Sequence, residues 1–465
     1  MIPIFNEVYS LDKNCYNKGL NEYILMENAA RAMYEKIKTH NISSICIISG
    51  AGNNGADGIA LARMLLGEIE DVYLFLPMGV KSQMAKYQFE VYKNYAGKYD
   101  EFIPKEIKNY DCYVDAIFGS GLKRDLDTKI NKIIKTLNKR EGLKIACDIP
   151  TGLDEFGNKR GEIFRANKTI TMGAMKLSLF SDLAKDYVGE IITANLGISF
   201  KNYISKTKFY LLENSDMNLP IRDKLNSHKG SYGHLGVLVG QKEGAGIISA
   251  LAGLNFGAGL VTCVTKEKTQ IPYELMNDDK ISDKFTTLVF GMGMGNFYDD
   301  EINNLSKLDI PMVIDADMFY KKEILNFLDK KVVLTPHPKE FASLLKICEI
   351  GEYSINEIQN KRFELSLEFI RKYPKVVLLL KGANTIIAYK NQFYINSQGS
   401  PALSKGGSGD VLAGMIGSLL AQNYHPLKAT ITATLSHSKA GNIKPNYSLT
   451  PLKLISNLER LKNTF

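Results

Sequence analysis

One stretch of the sequence could handle an anion with backbone and side chain together: Ser404-Lys405-Gly406-Gly407-Ser408-Gly409-Asp410, continued by Val411-Leu412-Ala413-Gly414-Met415-Ile416. It predicts a glycine loop running straight into a buried helix. The unpaired N–H groups and positive dipole end of that helix favour a phosphate above the loop. Glycines let backbone approach the anion closely and take φ values closed to other residues. Asp410 carries the wrong charge for an anion hole. A carboxylate makes sense there as a base that takes a proton from a hydroxyl while phosphate chemistry proceeds beside it. For a lone G-x-G-D pattern, a helix-capping acid is the plainer alternative.

Oxygen-bearing residues gather beside glycines in three other places: Gly50 to Gly58 (GAGNNGADG), Asp115 to Leu122 (DAIFGSGL) and Asp148 to Asp154 (DIPTGLD). Asn54, Asp115 and Thr151 could converge on a hard monovalent cation, which needs only oxygen ligands and loose geometry. Helix capping by Asp115 and turns at Asn54-Gly55 and Thr151-Gly152 are the competing structural explanations. In the second half, His337 lies between two prolines in Thr335-Pro336-His337-Pro338-Lys339-Glu340. A lone histidine is usually structural, but a rigid loop at a strand's carboxyl end would hold its ring still. Lys381 opens Lys381-Gly382-Ala383-Asn384-Thr385, where it would meet a nucleotide phosphate or simply end a strand in solvent.

The elements that must position these residues alternate between strand and helix. A helix is expected over 10–39, with Tyr23, Ile24, Met26, Ala29, Ala30, Met33 and Ile37 on one face. Strands follow at Ser43–Ser49, Val72–Pro77, Asp111–Phe118 and Leu143–Pro150, with helices from Ile59 to about Leu66, near 81–96 and near 127–139. This predicts a Rossmann-like, mostly parallel, doubly wound sheet, in which function gathers at the carboxyl ends of strands. The glycine spacing is not G-x-G-x-x-G followed by an acid about twenty residues on, so ordinary NAD binding is not supported. Alternation lapses over 198–228, which reads as a connecting passage and places a boundary near 207. A second α/β unit then opens with strand Leu235–Gly240 and a small-residue helix from Gly244 to Phe256. Strands continue at Leu260–Thr265, Thr286–Phe290, Val313–Asp317, Val332–Thr335 and Val376–Leu380, with the flexible loop Gly291-Met292-Gly293-Met294-Gly295 among them.

Composition bounds the rest. At 465 residues the chain holds two or three domains, and 45% hydrophobic with 23% charged residues is ordinary for globular protein. A net charge of +8 from dispersed lysines suits anionic small substrates and argues only weakly for nucleic acid. The six cysteines lie far apart without a C-x-x-C pair, and Cys46, Cys112, Cys147 and Cys263 fall in predicted strands, so reduced core thiols are expected. No basic-then-apolar leader and no apolar run of about eighteen residues is visible. A cytoplasmic protein without membrane or nucleic-acid partners is expected.

Met26-Glu27-Asn28-Ala29-Ala30, GAGNNGADG, DAIFGSGL and DIPTGLD together resemble the epimerase domain of the NAD(P)H-hydrate repair family over about 10–200. The second half resembles the ribokinase-like fold over about 210–462. Within that fold, SHKG at 227–230, GMGMG, Asp315-Ala316-Asp317, TPHPKE, KGANT and KGGSGD are similar to the dehydratase domain of the same family. The resemblance implies an epimerase domain over 1–206 and an ADP- or ATP-dependent dehydratase domain over 207–465. It implies that Asn53, Asn54, Gly55, Ala56 and Asp57, with Gly119, Ser120, Gly121, Leu122, Lys123, Arg124, Asp125 and Asp148, bind the hydrated nucleotide. It also implies potassium on Asn54, Asp115 and Thr151, and Mg²⁺ carried by the nucleotide. In the second half it implies a nucleotide site at Lys381, Gly382, Ala383, Asn384, Thr385 and Gly409, and a hydrate site at Ala245, Gly293, His337 and Asp410. Asp410 and Asp148 are the expected catalytic acids, and a homo-oligomer is the expected assembly. Ala56 departs from the family, which usually has a second glycine there. Two alternatives stay open: a ribokinase-like kinase of small vitamin-precursor alcohols, and an N-terminal half that only senses nucleotide or binds a partner.

Overall fold

A computed structural model describes residues 1–101, 108–443 and 446–462. The chain divides into two compact units, Pro3–Thr207 and Lys208–Phe465, with Met1–Ile2 joined to the second.

The first unit is built on a 7-stranded parallel sheet ordered Lys98–Asp100, Asp71–Phe75, Ser44–Ser49, Cys112–Ala116, Leu143–Cys147, Lys168–Met172, Glu190–Ala194. Successive residues of Ser44–Ser49 serve opposite faces, as the strand repeat demands. Ile45 and Ile47 join a core with Ala60 and Met33, whereas Cys46 and Ile48 join another with Ile133 and Ile134. Both faces are therefore covered by helices, the condition under which parallel sheets occur. The expected helix over 10–39 is two helices, Tyr9–Asn17 and Glu22–Ile37. Gly19 at φ 95° turns the chain between them, and the Asn21 side chain caps the second helix by accepting from the Ile24 N–H. Tyr23 and Ile24 consequently stay exposed, while Met26, Ala29, Ala30, Met33 and Ile37 are buried as expected. Two strands escaped the sequence pattern, Lys168–Met172 and Glu190–Ala194, because no helix of four residues or more intervenes between Cys147 and Lys168 or between Met172 and Glu190 except a short 3₁₀ turn at Leu177–Phe180.

The second unit runs Met276–Asp278, Leu260–Thr265, His234–Val239, Thr287–Phe290, Met312–Ile314, Val332–Leu334, Val377–Leu380 in parallel. Thr385–Tyr389 and Gln392–Asn396 then extend it in antiparallel pairing. The supposed connecting passage contributes a strand of its own, Phe209–Leu211, parallel to Gln392–Asn396. Leu235, Val237 and Val239 pack in one core with Ala250 and Ile416, and Leu238 packs in the other with Phe341 and Phe369. Helix Ser408–Ala421 lies so close to helix Glu243–Asn255 that a Cβ on Gly414 would fall 2.0 Å from the Ser249 carbonyl oxygen. All six cysteines are buried and free. Among the described residues no helix is long and apolar enough to cross a membrane.

Candidate active sites

In the first unit, helix Asn53–Leu65 starts six residues before the expected Ile59, so Asn53, Asn54 and Asp57 stand in helical turns rather than in a loop. Glycine makes this early start possible. A Cβ on Gly55 would meet the Gly50 carbonyl oxygen at 1.8 Å, and one on Gly58 would meet Ser49 Oγ at 2.5 Å. Ala56 is fully buried in the apolar core, its methyl packs inward, and its N–H is taken by the Gly52 carbonyl at 3.1 Å. Asn53 is exposed, and the side-chain nitrogen of Asn54 is buried without a hydrogen-bond partner.

Gly119 lies between Asn54 and Asp148: a Cβ there would sit 3.0 Å from Asn54 Oδ1 and 2.8 Å from Asp148 Oδ2. Ser120 reaches Asp148 through its N–H, which donates to Oδ2 at 3.4 Å. Of the rest of that loop, Gly121, Lys123, Arg124 and Asp125 are exposed, and Leu122 is buried in the core.

Asp115 and Thr151 are brought into direct contact. The Thr151 N–H and hydroxyl each donate to the Asp115 carboxylate at 2.7 Å, and the Ile117 N–H donates at 3.2 Å. Burial pushes the Asp115 carboxyl up to about 6, against those hydrogen bonds, which pull it down. No hydrogen bond joins Asn54 to this pair among the described residues. Asp148 sits at φ 69° and is paired with a residue that the motifs did not single out, Lys176, whose Nζ is 2.5 Å from Oδ1. The signal was a charge inside an apolar run, Met175-Lys176-Leu177, since lysine is almost never fully buried unless paired. Asp57 is held well above the ordinary carboxylate range by burial first, then by Asp148 and Asp12.

In the second unit, Gly407 takes φ 87° and starts helix Ser408–Ala421, with Asp410 in its first turn. Lys381, at the end of Val377–Leu380, donates to Asp315 Oδ1 at 2.9 Å and lies 3.8 Å from Glu340 Oε2. A Cβ on Gly409 would be 3.5 Å from Lys381 Nζ and 3.9 Å from Asp315 Oδ2, so loop, lysine and acid share one place. Asp410 makes no hydrogen bond or ion pair among the described residues. Burial pushes its carboxyl up to about 6, with Asp315 adding to the rise and Lys381 opposing it. Burial works against the Lys381 ammonium, but Asp315 and Glu340 outweigh it and hold that group above its ordinary value.

His337 is half-exposed and caps helix Pro338–Ile347 through Nδ1, while its Nε2 faces Glu340 at 3.2 Å. It thus joins the Lys381 cluster through Glu340. Burial and then Lys381 pull its pKa down. Ala245 and Gly293 form a separate contact: a Cβ on Gly293 would lie 3.4 Å from the Ala245 methyl, and the Gly293 carbonyl accepts from Lys242 N–H at 2.9 Å. Gly382 and Ala383 are exposed and Asn384 is buried. The 381–385 turn is held from below by buried Arg362, which donates to the carbonyls of Leu380, Lys381 and Asn384 at 3.1, 3.2 and 3.1 Å. Sequence reasoning gave no role to Arg362, Asp315 or Glu340, although Asp315 and Glu340 lie inside quoted motifs. It also passed over His437, whose Nε2 donates to the Ser408 carbonyl at 2.9 Å beneath the glycine loop. Burial pushes His437 down to about 4, so it stays a neutral donor.

A sequence family described as NAD(P)H-hydrate dehydratase matches residues 235–460, and one described as YjeF-related protein N-terminus matches residues 22–178. A bifunctional NAD(P)H-hydrate repair enzyme of Helicobacter pylori is 44% identical over 474 residues, spanning 99% of this chain and 100% of that protein. Its namesake in Dictyoglomus turgidum is 32% identical over 468 residues, spanning 91% and 90%. Among solved structures, an ADP/ATP-dependent NAD(P)H-hydrate dehydratase from Bacillus subtilis, crystallised with ATP and Mg²⁺, is 26% identical, covering 53% of this chain and 94% of that one at a TM-score of 0.45. Identity at this level over the whole length settles membership: the chain belongs to the family of bifunctional NAD(P)H-hydrate repair enzymes.

Proposed function

We propose that the Pro3–Thr207 unit epimerises the C6 hydroxyl of hydrated NADH or NADPH at Asp148, and that the Lys208–Phe465 unit dehydrates the S form at Asp410 with ATP or ADP. The observation that carries the second assignment is an unbonded, half-buried carboxyl at about 6, in the first turn of a glycine-led helix and within the field of Lys381. Such a group is a base near neutral pH. Asp410 takes the C6 hydroxyl proton, and the oxygen accepts the terminal phosphoryl group of the nucleotide. Phosphate then leaves C6 with the bonding pair and a proton leaves C5, restoring the dihydropyridine. The N–H groups of the 407–410 turn and Lys381 stabilise charge on the transferred group.

In the first unit, Asp148 takes the hydroxyl proton as the C6–N1 bond breaks, its electron pair passing to N1 and the conjugated amide. The aldehyde so formed turns, N1 adds to its other face, and the proton returns to oxygen.

Potassium would be held by Asn54, Asp115 and Thr151, all hard oxygen donors. The Asp115–Thr151 contact fits it, and Asn54 would contribute Oδ1, the oxygen that faces Gly119. The ion would supply charge that fixes the ends of the central strands. Mg²⁺ would enter on the nucleotide phosphates and neutralise charge there. Asp315 suits it, since Lys381 takes Oδ1 and Oδ2 accepts no hydrogen bond among the described residues.

The test is absorbance at the dihydronicotinamide band on adding ATP or ADP to mixed-epimer hydrate. Full conversion of both epimers is expected. A phosphorylated product without NAD(P)H would favour the small-alcohol kinase, and conversion of the S form alone would remove the epimerase.

A further inference from the structure

The first unit buries one lysine almost completely, and the chemistry proposed above makes no use of it. Lys176 is 1% exposed and pairs across a short parallel ladder with Phe5. Its ammonium has three protons to place. They go to Asp148 Oδ1 at 2.5 Å, Thr171 Oγ1 at 3.0 Å and the Met172 carbonyl at 3.0 Å. No donor is left over for a ligand, so Lys176 acts through what it holds.

What it holds is one side of Asp148. Oδ1 also accepts from the Met172 N–H at 3.1 Å and the Thr171 hydroxyl at 3.3 Å. Among the described residues Oδ2 accepts only the long bond from Ser120 N–H, and it faces Gly119 and Asn54. The carboxylate is therefore fastened by one oxygen and offers the other to the loops assigned to the hydrated nucleotide. Its backbone, at φ 69°, is in the left-handed region that non-glycine residues seldom occupy, and such strain persists where surrounding contacts enforce it. Asp12 and Asp57, from the helices Tyr9–Asn17 and Asn53–Leu65, also feel the Lys176 charge, and Tyr203 donates to Asp12 at 2.7 Å.

We propose that Lys176 is a positioning residue for epimerisation: by taking Oδ1 of Asp148, it fixes Oδ2 towards the C6 hydroxyl of the hydrated ring. This rests on Asp148 being the proton acceptor. A general base displaced by about 1 Å loses up to roughly a hundredfold in rate.

The experiment compares Lys176→Met, Lys176→Arg, Asp148→Asn and the double variant Asp148→Asn with Lys176→Met, all in the full chain. Epimer exchange, dehydration of the S form and melting temperature are followed on the same preparations. Lys176→Met is expected to lose about 10–100-fold in epimerisation kcat with KM changed less than about threefold. Lys176→Arg, which keeps the charge, is expected to recover part of that loss. In the Asp148→Asn background, Lys176→Met should add less than about twofold, because a group acting only through Asp148 has nothing left to position. That arm also serves if Lys176→Met alone does not fold, since the neutral amide needs no counter-ion. Asp148→Asn at the parent rate would overturn the assignment of Asp148 as base. A slow Asp148→Asn beside a normal Lys176→Met, or losses that multiply in the double variant, would overturn the role of Lys176 and leave Asp148 standing.

Discussion

Each unit sets an aspartate against a lysine at the carboxyl edge of its sheet, and the two pairs are wired differently. Lys176 is spent on Asp148 itself, at 2.5 Å, with two backbone groups and a hydroxyl completing the fastening. Lys381 is given to Asp315 instead, and Asp410 beside it has no hydrogen bond or ion pair among the described residues, its carboxyl pushed up to about 6. The difference fits the tasks proposed for the two carboxylates. A base that must meet a ring from a fixed side gains from being aimed. A base that must pick up a proton and release it near neutral pH gains from a raised proton affinity.

The largest expected effect breaks one unit and spares the other. Asp410→Asn keeps the size of the side chain but removes the proposed base, and should slow dehydration roughly 10²–10⁴-fold. Epimer exchange on the same preparation should stay at the parent rate. Near-normal dehydration in a folded variant would overturn Asp410 as the base.

Next is the pH profile of dehydration, whose acid limb should fall as pH drops through about 6, where Asp410 takes up its proton. Asp315 raises that value, so Asp315→Asn should move the limb to lower pH. An unmoved limb would separate Asp315 from the base.

Potassium removal probes the first unit. Asp115 has its folded value raised to about 6, so the fold takes up a proton more readily than the unfolded chain. Its share of stability is then greatest at low pH and is lost as pH rises through about 6. Exchanging potassium for a bulky organic cation should therefore lower the melting temperature at pH above that value and hardly at all below it. Thr151→Val should abolish the dependence, and equal loss at both pH values would remove the ion from Asp115.

The smallest effect concerns Ala56→Gly. The lost helix propensity is worth about 1 kcal/mol and the lost methyl about 0.8 kcal/mol. A drop of several degrees in melting temperature with epimerisation near the parent rate is expected. A large fall in turnover would mean that the methyl meets the substrate.

Legibility in the sequence tracked locality. The 407–410 turn could be named because its glycines, its acid and its buried helix are contiguous. The Asp115–Thr151 contact was inferable because strand ends in a parallel sheet collect on one edge. Lys176 escaped because its strand is only two residues long and carries no glycine-rich loop of the kind that marks the other strand ends. Strand Phe209–Leu211 hid in a lysine-rich passage, since pairing with Gln392–Asn396 defines it rather than its own pattern. The early start of helix Asn53–Leu65 depends on Gly55 and Gly58 pressing against the strand above, a tertiary contact that overrides the polar loop composition.

The missing side chain at Gly414 sets how the glycine loop is seated. With only 2.0 Å between a hypothetical Cβ and the Ser249 oxygen, helix Ser408–Ala421 meets helix Glu243–Asn255 backbone to backbone. Any side chain at Gly414 would have to push the helix that carries the 407–410 turn away from its neighbour, so the glycine fixes where that turn can sit.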